Sequence, residues 1–350
     1  MRSSHLIYVV IFSTLLMLCS CQGNSRPRVF IFTDINIDRG DPDDRQSLVH
    51  LLWYADELEI TGIVPERWNA EGYEASMMAV EAYAEDYDKF GLQGKGFPGP
   101  GEIRNLVATD SDHAFKLFSE AASQGDDPVY VLIWGAMSQF GSLLNRRPEL
   151  ADNIRVITIG TGLMYPPDEN YAPDNWPRGA PCALKNWNGP GRSNVWDNPR
   201  FNNMWWLELN WTYNGMFTGE EPRQMFEKLS GYGSLGQHMV DVTKNQPWAQ
   251  YFRVGDTPSV LYVIDPRGNQ DDPRQSSWAG RFVRPLPDAR PNYYADHNGP
   301  TQWDYADPCN TWDNYSDVYI YSRATLEKER PGMYEALIEK LDRIYGRTGR

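Results

Sequence analysis

Between Asp34 and Asp44 the chain places five aspartates in eleven residues, at positions 34, 38, 41, 43 and 44. Carboxylates this close repel one another, so a folded chain keeps them only where a cation or hydrogen-bond donors balance the charge. A hard cation such as Ca2+ takes about 6–8 oxygen ligands from carboxylates, carbonyls and waters. Asp43 and Asp44 sit where a helix should begin, so one can face a cation and the other a ligand hydroxyl. Asp34, at a strand end, and Asp38 or Asp41, in the loop, can add further ligands. The plain alternative is a solvated acidic turn that caps a helix, but a cap needs one Asp rather than five.

Those carboxylates are positioned by what flanks them. Val29 to Thr33 reads as a buried strand, and Asp43 to Tyr54 as a helix with Leu48, Leu51, Leu52 and Ala55 at helical spacing. Leu58 to Val64 is a second strand, giving strand–helix–strand with short joins, the unit of a parallel sheet. Helices are expected over Ala70–Phe90, Ser111–Ser123 and Gln139–Asn145, and strands over Pro128–Trp134 and Ile154–Ile159. This alternation predicts an open, mostly parallel, Rossmann-like α/β sheet with helices on both faces and ligands at the carboxyl ends of its strands. Further on, Glu221–Leu229 reads as a helix, Ser259–Ile264 as a strand and Thr325–Tyr345 as a closing helix. The stretches 160–211 and 276–317 read as long irregular insertions rich in Trp, Tyr, Asn and Pro. Such loops suit a sugar, because aromatic faces stack on its apolar faces while Asn and Asp bind hydroxyls.

Two further contributions to the aspartate site are expected from the sheet edge. Asp271-Asp272 follows the Ser259–Ile264 strand, so Asp272 is a candidate late ligand; an Asp-Pro turn is the bland reading of the same residues. The Trp134 backbone carbonyl, at another strand end, is the second. Among the histidines none forms a nucleophile motif with Ser or Cys, and no Gly-x-Ser-x-Gly occurs.

The 350-residue chain carries a formal net charge of −14, which argues against nucleic acid or an anionic membrane surface as partner. Arg2 and His5 followed by the apolar Leu6–Leu18 form a signal peptide, too short for a comfortable span. Leu18-Cys19-Ser20-Cys21 resembles a bacterial lipobox, with Cys21 as the lipidated residue. The expected organisation is a signal over 1–21, a tether over 22–28 and a single α/β domain over 29–350, held to the cell envelope, at the outer membrane, by lipid alone. Cys182 and Cys309 remain in the mature chain; a disulfide is permitted there, and the sequence leaves their pairing open.

At these residues the chain resembles the nucleoside hydrolase-like superfamily, and within it the branch labelled cellulose-binding, nucleoside hydrolase-like. The matching pattern is Thr33-Asp34-Ile35, Pro42-Asp43-Asp44 and Gln46-Ser47-Leu48, then Gly255-Asp256-Thr257-Pro258-Ser259, Asp272-Pro273 and Ser277-Trp278-Ala279-Gly280-Arg281-Phe282. In nucleoside hydrolases the first loop reads Asp-x-Asp-x-Gly-x-Asp-Asp, and its aspartates hold Ca2+, bind the ribose diol and activate water. The resemblance implies Asp34, Asp44, Asp272 and the Trp134 carbonyl as Ca2+ ligands, with Asp43 and Asn36 binding substrate. Asn36 stands where those enzymes have Asp, and the loop is longer, which leaves the water-activating role to Asp38, to Asp41 or to no residue. The expectation is a Ca2+-dependent hydrolase of ribonucleoside-like or related glycosidic bonds. The alternative is a non-catalytic carbohydrate-binding lipoprotein that keeps the hydroxyl-binding loop and lacks the base. Its partner in either case is a small sugar, nucleoside or glycan.

Overall fold

The computed structural model describes residues 26–37, 42–66, 71–125, 127–161, 191–268, 270–297, 299 and 315–347. Strand β1 (Arg28–Thr33) is followed by helix α1 (Asp43–Trp53), β2 (Glu59–Pro65), α2 (Gly72–Phe90), α3 (Pro100–Leu106), α4 (Ser111–Ser123), β3 (Val129–Trp134), α5 (Ser138–Arg146) and β4 (Ile154–Ile159). The second half contributes α6 (Gly191–Trp196), β5 (Trp205–Leu209), α7 (Glu221–Leu229), α8 (Gly233–Asp241), α9 (Thr257–Ile264), β6 (Phe282–Val283), β7 (Tyr293–Asp296), α10 (Tyr315–Glu327) and α11 (Arg330–Tyr345). The strands form one seven-stranded sheet in the order β2-β1-β3-β4-β5-β7-β6, parallel throughout except for β6, which runs antiparallel to β7.

Alternation along β1 builds the two cores. Val29 and Ile31 pack with Leu48, Val49, Leu51 and Leu52 of α1 on one face, while Phe30 and Phe32 pack with Phe140, Leu143 and Leu144 of α5 on the other. The helices that follow β1 and β3 therefore leave on opposite faces. The chain turns from β1 to β2 in one direction and reaches β3 in the other, which opens a crevice between the carboxyl ends of β1 and β3.

The irregular stretches hold more order than their composition suggests. Within the described residues they contain β5, β6 and β7, whose Trp206 and Tyr293 are core residues rather than ligand-facing ones. The expected strand at Ser259–Ile264 is the helix α9. Its run Val260 to Ile264 is too short for periodicity to separate strand from helix, and Pro258 in the first turn, where a missing N–H costs nothing, marks a helix start. The expected single closing helix is two, α10 and α11, with Pro331 in the first turn of the second. Asp38, Asp41, Cys21, Cys182 and Cys309 lie outside the described residues, as does the whole signal segment. No helix among the described residues is long and apolar enough to cross a membrane.

Candidate functional site

The crevice gathers three carboxylates from two distant places in the chain. Asp43 and Asp44 open α1, and Asp256 immediately precedes α9. One carboxylate oxygen from each lies within 4.8 Å of the others, a grouping able to hold a metal ion. Asp44 and Asp256 are buried. Hard oxygen donors at this separation, shielded from water, suit a hard metal cation. Burial pushes the Asp44 carboxyl well above the usual carboxylate range. Asp256, Asp34 and Asp43 add to the rise, in that order, and a hydrogen bond from Thr33 opposes it.

Local sequence explains how each carboxylate is held. Thr33 ends β1; its Oγ1 donates to Asp44 Oδ1 and accepts from the Ile35 amide. Asp34 follows, and its N–H donates to the Trp134 carbonyl at 3.3 Å, tying the ends of β1 and β3 together. The Trp134 indole donates to Ser259 Oγ at 2.9 Å, and that hydroxyl donates to the Asp256 carbonyl at 2.6 Å. Arg45 donates to the Ile37 carbonyl at 2.8 Å and so secures the stem of the aspartate loop.

Helix α1 does the longest-range work. Gln46, Ser47 and His50 are all buried. Gln46 Oε1 accepts from the Arg253 amide at 2.6 Å, Ser47 Oγ accepts from the Asp256 amide at 3.3 Å, and His50 Nδ1 meets Thr257 Oγ1 at 3.1 Å. These three contacts staple segment 253–257 to α1 and bring Asp256 against Asp43 and Asp44 across more than 200 residues of chain. Burial lowers the His50 pKa to about 3, so its ring is a neutral hydrogen-bonding partner. Gly255 belongs to the same device. A Cβ there would fall 2.4 Å from Asp43 Oδ2 and 2.8 Å from the Phe217 ring, so only glycine lets Asp43 sit this close to segment 253–257.

The opposite wall carries a carboxyl with no place in the aspartate motif. Glu66 directly follows β2, and its N–H donates to the Thr33 carbonyl at 2.7 Å. Its Oε1 accepts from the Gln139 amide at 2.9 Å in the first turn of α5, whose own preceding residue, Met137, supplies no side-chain cap. Burial raises the Glu66 pKa to about 7. The Gln139 and Phe140 amides pull it down, and Asp34 pushes it up. Farther along the same sheet edge, buried Asp296 accepts from the amides of Asn210, Trp211 and Thr212 and so fixes the turn after β5. The Asn210 side-chain carbonyl is buried there without a hydrogen-bond partner among the described residues.

Of the residues expected at the site, the structure brings Asp43 and Asp44 together, sets Asp34 where its charge acts on Asp44, and places the Trp134 carbonyl on Asp34. Asn36 is half-buried in the loop stem. Asp272 is elsewhere: partly exposed, it pairs with Arg274 through two hydrogen bonds, at 2.7 and 3.0 Å. The late carboxylate of the cluster is Asp256. A strand at Ser259–Ile264 would aim Asp272 at the ligand edge; as a helix, that segment presents its beginning, with Asp256, to the crevice. The signal for Asp256 was present in Gly-Asp-Thr-Pro, an acidic residue before a helix-opening proline.

An open parallel sheet with an acidic crevice between β1 and β3 defines a nucleoside hydrolase-like α/β protein. The family model described as "Cellulose-binding Sde182, nucleoside hydrolase-like domain" matches residues 28–282, and the chain belongs to that family. Among solved structures it is similar to a nucleoside hydrolase-related hypothetical protein from Saccharophagus degradans associated with carbohydrate metabolism. That match has 17% identity and a TM-score of 0.59, and covers 92% of this chain and 72% of the other. It is also similar to an inosine-uridine preferring nucleoside hydrolase from Bacillus anthracis, at 14% identity and a TM-score of 0.45, covering 85% and 99%. At 17% identity the first of these speaks to the fold alone. No curated protein sequence matches the chain.

Proposed function

We propose that this protein is a Ca2+-dependent hydrolase of N-glycosidic or related sugar bonds. The observation that carries the reading is the convergence of Asp43, Asp44 and Asp256, from the two ends of the family-matched region, on one point in the crevice. These three carboxylates would hold the cation, with Asp34 beside them. When bound, the cation supplies positive charge that neutralises the cluster and lowers the pKa of a water. Asp43, the least buried of the three, would also bind a ligand hydroxyl, a role extended to Asn36 in the same loop. A loop carboxylate takes the proton of the attacking water; Asp38 and Asp41 are the candidates from the sequence. Phe217, packed beside Gly255 and Asp43, offers an aromatic wall for the sugar or its leaving group. The transition state at the anomeric carbon gains positive charge, which the surrounding carboxylates favour.

Asn36, standing where nucleoside hydrolases have Asp, and the "cellulose-binding" label of the family support a second reading: a sugar-binding protein without turnover. The same experiment separates the two. The soluble form beginning at Gln22 is incubated with nucleosides and small glycosides in Ca2+ or in EDTA, and free sugar is measured. Release that requires the cation and disappears in Asp44→Ala supports the hydrolase. Glycan binding with no release over long incubation supports the second reading. Export and lipid anchoring through Cys21 remain part of the proposal and rest on the first residues alone.

A further inference from the structure

The geometry points to Glu66 as the acid that protonates the leaving group, acting across the β1–β3 crevice from the aspartate cluster. This rests on the hydrolase reading above. In the sheet, β1 lies between β2 and β3. Glu66 starts at the end of β2, yet its carboxyl bonds to the first turn of α5, the helix that follows β3. Its side chain must therefore pass over the carboxyl end of β1, where Thr33 and Asp34 sit. The aspartates approach from α1 on one face of the sheet, and Glu66 rests against α5 on the other. Cleavage of a glycosidic bond with attack by water calls for this arrangement: a carboxylate on one side for the water and a carboxylic acid on the other for the leaving group. The described groups that face Glu66 are Asp34 on β1 and the amides of Gln139 and Phe140 on α5. Its burial favours the protonated carboxyl, which suits a proton donor.

The bond from the anomeric carbon to the leaving atom breaks, and its electron pair stays with the leaving atom, which takes the Glu66 proton. The water oxygen bonds to the anomeric carbon and its spare proton passes to solvent. Glu66 regains a proton from solvent, and nothing is oxidised or reduced.

Glu66 also caps α5, and a cap alone would explain its position. Glu66→Gln separates the roles, because the amide oxygen still accepts from Gln139 while the transferable proton is gone. Two probes are compared in the Ca2+-loaded protein: inosine, whose leaving group needs protonation, and 4-nitrophenyl riboside, whose leaving group does not. The expected result is a loss of about 100-fold or more with inosine and less than about tenfold with the nitrophenyl substrate. The wild type should lose inosine turnover above neutral pH, and Glu66→Gln should lack that limb. Equal losses on both substrates, or an unchanged limb in the variant, would overturn the acid role and leave Glu66 as a cap. Should Glu66→Gln not fold, the wild-type profiles decide: the same alkaline limb on both substrates overturns the proposal. A wild type inactive on every sugar overturns the hydrolase reading and this inference with it.

Discussion

Replacing Asp256 by Asn should make the cation-free protein more stable and the cation-loaded protein less so. The carboxylate oxygens of Asp43, Asp44 and Asp256 lie within 4.8 Å of one another. At an effective dielectric of about 20, two unit charges at that distance repel by roughly 3.5 kcal/mol. The chain escapes part of this by keeping a proton on Asp44, whose pKa is driven up by burial and then by Asp256. Asn preserves the shape of Asp256 and removes the largest single charge acting on Asp44. We therefore expect a gain of about 1–3 kcal/mol in EDTA at pH 8, after discounting the protonated fraction. Wild type should instead gain about 2.7 kcal/mol when Ca2+ is raised to 100 times its dissociation constant, and Asp256→Asn should gain almost nothing. Urea unfolding of both proteins, in EDTA and in Ca2+, reads all four values. A variant that is strongly destabilised in EDTA, or that still responds to Ca2+ as wild type does, would refute this account of the cluster.

Two further outcomes follow from the same structure. Arg192 and Glu208 form a fully buried, two-pronged ion pair at 2.6 and 2.7 Å, to which Tyr293 adds a hydrogen bond. Arg192→Met should cost about 3–5 kcal/mol in chemical unfolding, because it strands a buried carboxylate; a cost below about 1 kcal/mol would show that the pair is dispensable. Burial raises Glu66 from the ordinary 4.5 to about 7 and Asp296 from 3.8 to about 6. Between about pH 4 and 7 the folded chain then holds more protons at these two groups than the unfolded chain. Their contribution is greatest at the acid end, and it falls as pH rises through 6 and 7. Unfolding of Glu66→Gln measured against wild type should show the difference closing below pH 5 and opening in the variant's favour above 7.

The first half of the fold could be read from the chain because its signals are local. Strand, acidic loop and helix follow one another from Val29 to Trp53, and the helical spacing of Leu48, Leu51 and Leu52 is unbroken. Long-range facts were hidden by side-chain type. Gln46, Ser47 and His50 look like a solvated helix face, but they are buried because α1 is covered by segment 253–257. Nothing local in the chain announces that cover. Val260 to Ile264 is apolar without a period, so strand and helix were equally compatible, and that ambiguity moved the expected late ligand from Asp256 to Asp272. Trp206 and Tyr293 resembled ligand-stacking aromatics by composition, and tertiary packing made them core. Glu66 is one charged residue after a strand, which carries no signal until α5 is seen to meet it.

The measurement closest to the central claim is calorimetric titration of Ca2+ into the EDTA-stripped, unlipidated protein, in two buffers of different ionisation enthalpy. The account predicts about one ion per chain, proton release on binding because Asp44 must give up its proton, affinity that rises with pH, and loss of the site in Asp44→Asn. No uptake at millimolar Ca2+, or uptake left unchanged by Asp44→Asn, would contradict it.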